Sequence, residues 1–110
     1  MIKTIALFII CSFAALAQTT HSATLTWTDT NPTGVTWTVY RATGLCSGTP
    51  TYSKIATALT VKTYEDLSVQ PGNYCYTVTA SYNSMESAPS NAAGAAIPSF
   101  SPTGLSITVK

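Results

Sequence analysis

Apolar and polar side chains alternate one for one through most of the chain beyond residue 20. Ala23, Leu25 and Trp27 share one parity, with Thr24, Thr26 and Thr28 between them. Val35, Trp37 and Val39 alternate in the same way with Thr36, Thr38 and Tyr40. Across 74–81, Tyr74, Tyr76, Val78 and Ala80 fall on one side and Cys75, Thr77, Thr79 and Ser81 on the other. A period of two is the spacing of a strand with one buried face, the habit of antiparallel sheets. Shorter strands are predicted at 52–56, at 63–65 and at 92–97, where Gly94 marks a bulge or an edge position. The same parity gathers Trp27, Trp37, Tyr74 and Val78 into one core. It leaves Tyr40 and Tyr82 outside and turns Cys75 away from that core.

Turn residues fall between these runs. Asn31-Pro32-Thr33-Gly34, the segment 44–50, Pro71-Gly72-Asn73 and Ser87-Ala88-Pro89 all read as turns or loops. No stretch after residue 17 shows an apolar face at helical spacing. Six or seven short strands in fewer than 100 residues predict an all-β sandwich.

The first segment reads differently. Lys3 supplies a positive charge, the run from Ile5 to Leu16 is almost unbroken in its apolar character, and Ala15-Leu16-Ala17 offers small residues for a peptidase. This is the pattern of a secretory signal peptide, residues 1–17, with cleavage expected after Ala17. A membrane-spanning helix needs about 20 apolar residues, more than the run provides. Lipidation at Cys11 would want a small residue just before it, and Ile10 is not small. The expected products are a domain at 18–98 and a strand-like tail at 99–110, exported to the periplasm, the cell surface or the medium, with no stable membrane insertion after cleavage.

Composition narrows the function. Only 8% of the 110 residues are charged, against about 25% in an average soluble protein. Hydroxyls take their place, with 20 Thr and 12 Ser. A net charge of +1 offers no clustered cations to displace counterions, so nucleic acid is not an expected partner. Once Cys11 leaves with the signal, Cys46 and Cys75 remain, and an oxidising compartment favours their single intramolecular pairing.

The order of these residues resembles the fibronectin type III domain. The resemblance rests on Leu25-Thr26-Trp27, then Trp37-Thr38-Val39-Tyr40-Arg41, then Pro71-Gly72-Asn73-Tyr74 with Tyr76, Val78 and Ala80, and covers about residues 20–98. The closing Glu86-Ser87-Ala88-Pro89-Ser90-Asn91 is similar to bacterial members. The resemblance implies an immunoglobulin-like antiparallel sandwich of about seven strands, with Trp27 in the core and Tyr74 as the tyrosine of the corner motif. Two departures stand out. Most such domains lack a disulfide, and the first strand of the fold has no counterpart in 18–22, which is too short.

Chemistry is sparse. His21 is expected at the exposed start of the exported chain, with no nucleophile or carboxylate in a motif relationship to it. Glu65-Asp66 is expected to be solvated surface charge, because neighbours on a strand point to opposite faces. No metal, cofactor or catalytic residue is predicted. Binding therefore remains, as a non-catalytic interaction or scaffold module, with carbohydrate binding or adhesion at a cell surface as the alternative. The loops 28–34 and 81–87 should emerge at one end and present Asp29, Asn31, Tyr82, Asn83 and Glu86. The tail alternates too: after Pro102, Leu105, Ile107 and Val109 share a parity, as in the first strand that the domain otherwise lacks. Such a segment can be donated to a neighbouring molecule, lie parallel on its own domain, or stay unpaired.

Overall fold

A computed structural model describes residues 5–12, 20–100 and 106–109. Its eight strands are β1 (Ile5–Ser12), β2 (His21–Asp29), β3 (Thr36–Thr43), β4 (Ser53–Leu59), β5 (Thr63–Val69), β6 (Gly72–Tyr82), β7 (Met85–Glu86) and β8 (Ala93–Ile97). One sheet has the order β1-β2-β5, and the other runs β4-β3-β6-β7 with β8 also paired to β6. Every pairing is antiparallel. The β-sandwich expected from the alternation is the observed architecture.

The inward parity of each strand fills the space between the sheets. Ala23, Leu25 and Trp27 face Val39, Tyr76, Val78 and Ala80, all nearly or wholly excluded from solvent. The two tryptophan rings meet edge to face, 6.1 Å apart, a favoured aromatic geometry. Tyr74 is half-buried at the rim of this core, and its hydroxyl donates to the Gln70 carbonyl at 3.0 Å. This is the tyrosine corner, and it pins the turn between β5 and β6.

The seat of a first strand is taken by β1, which lies inside the segment read as a signal peptide. It runs along β2 from Ile5 opposite Asp29 to Ser12 opposite Ser22. Ile5 and Leu7 are buried in the core, and Ile9 packs against it. The expected cleavage point after Ala17 lies outside the described residues.

Two expectations about polar residues need correction. His21 is buried rather than solvent-facing, and the Phe100 ring stacks on it at 4.6 Å. The cause is parity: His21 shares the inward side of β2 with Ala23 and Leu25, and the segment after β8 folds Phe100 over it. Asp66 is buried as well, whereas Glu65 is exposed. Asp66 points between the sheets, where Arg41 Nη1 reaches both of its oxygens, at 3.1 and 2.8 Å. The consecutive carboxylates diverge as strand neighbours must, and one of them goes inward because a cation and a phenol await it there.

Cys46 and Cys75 form a disulfide, with Cα atoms 5.2 Å apart. Cys75 does turn away from the main core, yet it is fully buried. The Cys46 loop and Tyr52, whose hydroxyl lies 3.1 Å from Cys75 Sγ, cover it from outside. Gly94 sits opposite Cys75 on edge strand β8, beside the Cys46 sulfur.

Candidate functional site

The outward face of β6 carries Cys75, Thr77 and Thr79, flanked in register by Ala42, Tyr40 and Thr38 of β3. Such a face would ordinarily be wet, but Thr38, Thr77 and Thr79 are buried. Larger side chains from both sides close over them. Tyr40 and Tyr52 form one wall of a cleft of about 290 Å³, Glu86, Ser87 and Pro89 form the other, and Thr77 and Thr79 form its floor.

The far wall is built by an irregular piece of sequence. Pro89 has no amide hydrogen, so the chain after β7 cannot continue a regular ladder beside β6. Two serines substitute for it. Ser87 N–H donates to the Ala80 carbonyl while Ser87 Oγ accepts from Ala80 N–H. Ser90 repeats the exchange with Val78. Pro89 is thereby held outward as an apolar lip. Asn91 then faces the opposite sheet, where its Oδ1 accepts the Leu7 amide hydrogen at 2.9 Å.

One carboxylate organises the cleft. Glu86 Oε2 accepts hydrogen bonds from Thr79 Oγ1 at 2.6 Å and from the Tyr40 hydroxyl at 2.5 Å. The Thr79 bond, then the Tyr40 bond, hold Glu86 below the usual glutamate range, and Lys54 adds to the effect. The Tyr40 phenol is pushed up by the same contact. The arrangement offers one fixed negative charge across the cleft from two half-buried aromatic rings. It can bind an apolar or hydroxylated ligand, and its carboxylate already has both hydroxyls as partners.

The loop residues expected to act together are divided by the fold. The two loops do share an end, since Tyr82 lies against Gly34. Asp29 is already engaged: Oδ1 accepts from the Asn31 backbone within the loop at 2.8 Å, and Oδ2 accepts from Trp37 Nε1 of β3 at 2.6 Å. Asn31 is thereby tied to an Asx turn. Tyr82 and Asn83 stand at the hairpin tip, where Asn83 and Ser84 both adopt positive φ as a tight primed turn requires. Glu86 belongs instead to the cleft on the sheet face. Tyr52, which no pattern in the sequence distinguishes, completes the cleft. Leu105 lies outside the described residues, while Ile107 and Val109 are exposed. Among the described residues no group of three or more His, Cys, Asp and Glu converges.

A fibronectin type III domain from the human KIAA0970 protein superimposes with a TM-score of 0.66 at 18% identity, covering 97% of this chain and 85% of that one. The fold is that of a fibronectin type III domain. A domain from human fibronectin type III domain containing protein 3 gives 0.65 at 12% identity, covering 94% and 92%. A fourth fibronectin type III domain of human origin gives 0.62 at 18%, covering 96% and 85%. No family model matches the sequence, and no curated protein does.

Proposed function

We propose that this protein is an exported, non-catalytic interaction module whose working surface is completed when residues 1–17 are removed. The observation that carries the reading is the character of β1. Its inner side chains, Ile5 and Leu7, are buried, but its outer ones, Phe8 and Ile10, are 59% and 62% exposed. A strand at home on a sandwich surface alternates apolar with polar, as β2 does with its threonines. A strand apolar on both faces fits the hydrophobic stretch of a secretory signal better than a permanent edge. The Cys46–Cys75 bond agrees with an oxidising destination. No helix among the described residues is long and apolar enough to cross a membrane.

Departure of β1 would leave the β2 edge with unpaired backbone groups and open the core beside Leu25 and Trp27. Exposed edges of this kind recruit strands from partners, so a protein partner is favoured. The test is the intact mass of protein recovered from the exported fraction. A chain beginning at Gln18, two hydrogens lighter than its reduced form, supports the reading. A chain retaining residues 1–17 contradicts it.

The Tyr40–Tyr52 cleft favours a second reading, carbohydrate binding or adhesion at a cell surface. Aromatic rings beside a fixed carboxylate suit the apolar face and the hydroxyls of a sugar ring. Binding on a glycan array that is lost in Tyr40→Ala and Tyr52→Ala would support this reading. Silence across the array would remove it.

A further inference from the structure

We propose that, once residues 1–17 have left, residues 105–110 of a second copy take the place of β1 against β2. The inference rests on the export reading above and names the partner for the edge that export opens.

The tail matches the vacated seat better than its present occupant does. β1 pairs with β2 over eight positions, and a tail seated with Leu105 in the place of Ile5 would fill six of them with residues 105–110. Ile5, Leu7 and Ile9 set the inward spacing of β1, and Leu105, Ile107 and Val109 repeat it. The tail's other parity is Ser106, Thr108 and Lys110, all polar, where β1 exposes Phe8 and Ile10. Seated in the donor register, Ile107 would lie opposite Trp27, where Leu7 lies now. Without such a seat, Ile107 and Val109 are 81% and 87% exposed, the highest values among the large apolar side chains described. One apolar stripe without a cover and one groove losing its cover are complementary.

Geometry makes the donor a second molecule. Ile97 of β8 pairs with Gly72, and Phe100 stacks on His21, so the tail leaves at the pole where β2 begins. An antiparallel occupant must start at the other pole, beside Asp29, as β1 does. The nine residues of β2 span about 30 Å. Pro98 to Pro102 reach at most about 18 Å when fully extended, so a molecule cannot fill its own seat in this direction. Donor and acceptor therefore lie at opposite poles, and the contact is heterologous and propagates as a head-to-tail chain. Asn91 supports the same seat from the other side. Its carboxamide, which accepts the Leu7 amide hydrogen in this structure, would take that of Ile107.

The test uses the exported protein, residues 18–110, with one cysteine introduced in each of two preparations. Phe8 pairs with Thr26, which places Thr108 of the donor opposite Thr26 of the acceptor. Paired Cα atoms there would lie about 5.5 Å apart, within reach of a disulfide. Thr26→Cys and Thr108→Cys, oxidised together, should give a covalent dimer of roughly twice the subunit mass, and the double variant a ladder of higher multiples. Ile107→Asp, whose side chain is solvent-exposed in the unpaired tail, should abolish both products and return sedimentation to that of one subunit at every concentration. A monomer with no cross-link overturns the inference, as does an intramolecular cross-link alone or a product indifferent to Ile107→Asp. If the exported chain begins at Gln18 and still fails to cross-link, only this inference falls. If it retains residues 1–17, the export reading falls with it.

Discussion

Tyr76 donates its phenolic hydrogen to Asp66 Oδ2 across the interior at 2.6 Å. Asp66 comes from β5 and Tyr76 from β6, so the bond ties one sheet to the other. Arg41 closes on the same carboxylate and stacks over the Tyr74 ring at 5.7 Å from its centre. The buried acid thus has a cation and a hydroxyl as partners, which is the condition under which burying a carboxylate is tolerable.

Removing only the hydroxyl should isolate that contribution. Tyr76→Phe is expected to cost about 1.5–3 kcal/mol, the usual range for a hydrogen bond to a charged group, measured by urea unfolding. Burial first, then the bond to Asp66, push the Tyr76 phenol far above the tyrosine range. A phenol raised in the folded state contributes stability that is present below its unfolded value of about 10 and lost as pH rises above it. The difference between wild type and Tyr76→Phe should therefore shrink on going to strongly alkaline solution. A difference that stays constant would detach the phenol from the effect.

Trp27 should be among the costliest residues to truncate. It is 3% exposed and faces Trp37. Trp27→Ala is expected to lose about 3–5 kcal/mol, a large part of the 5–15 kcal/mol on the order of which such domains are stable. Chemical denaturation measures it, and a loss under about 1 kcal/mol would mean that the ring is not packed in the working state.

Glu86 sets an acid limit on the cleft. Its carboxyl is held low by Thr79 and Tyr40, so what it contributes is present above the unfolded glutamate value and lost as pH falls through its own, lower, midpoint. Carboxyl chemical shifts in an NMR titration should place that midpoint below the ordinary glutamate value, and Tyr40→Phe should move it upward. A midpoint at the ordinary value would show that the two hydroxyls do not hold it in solution.

Much of the fold was legible because alternation is a local signature of a half-buried strand. Leu25 and Trp27, Trp37 and Val39, and Tyr76 and Val78 announce their inward face within a few residues. The buried charges were not legible in the same way. Asp66 follows Glu65 in a hydroxyl-rich strand, and its partners Arg41 and Tyr76 lie 25 and 10 residues away. The inward parity of His21 could be read from Ala23 and Leu25, but its cover, Phe100, comes from the far end of the chain. The cleft was hidden for a similar reason: Tyr40, Tyr52 and Glu86 meet only through the order β4-β3-β6-β7. β1 could not be read as a strand at all, because an almost unbroken apolar run has no period to betray its conformation.

In the proposed assembly, loss of residues 1–17 opens the outer edge of β2 and another molecule closes it again. Hydrogen exchange at β2 tests it directly. Trp27 N–H bonds to the Lys62 carbonyl on the β5 side, and successive residues of a strand alternate their backbone groups between neighbours. The amides of Thr24, Thr26 and Thr28 therefore point to the edge that β1 covers. In the protein of residues 18–110 these three should be protected at high concentration and exchange fast on dilution, while the Trp27 amide stays protected throughout. Fast exchange of the three threonine amides at every concentration, or protection that dilution leaves unchanged, would contradict the claim.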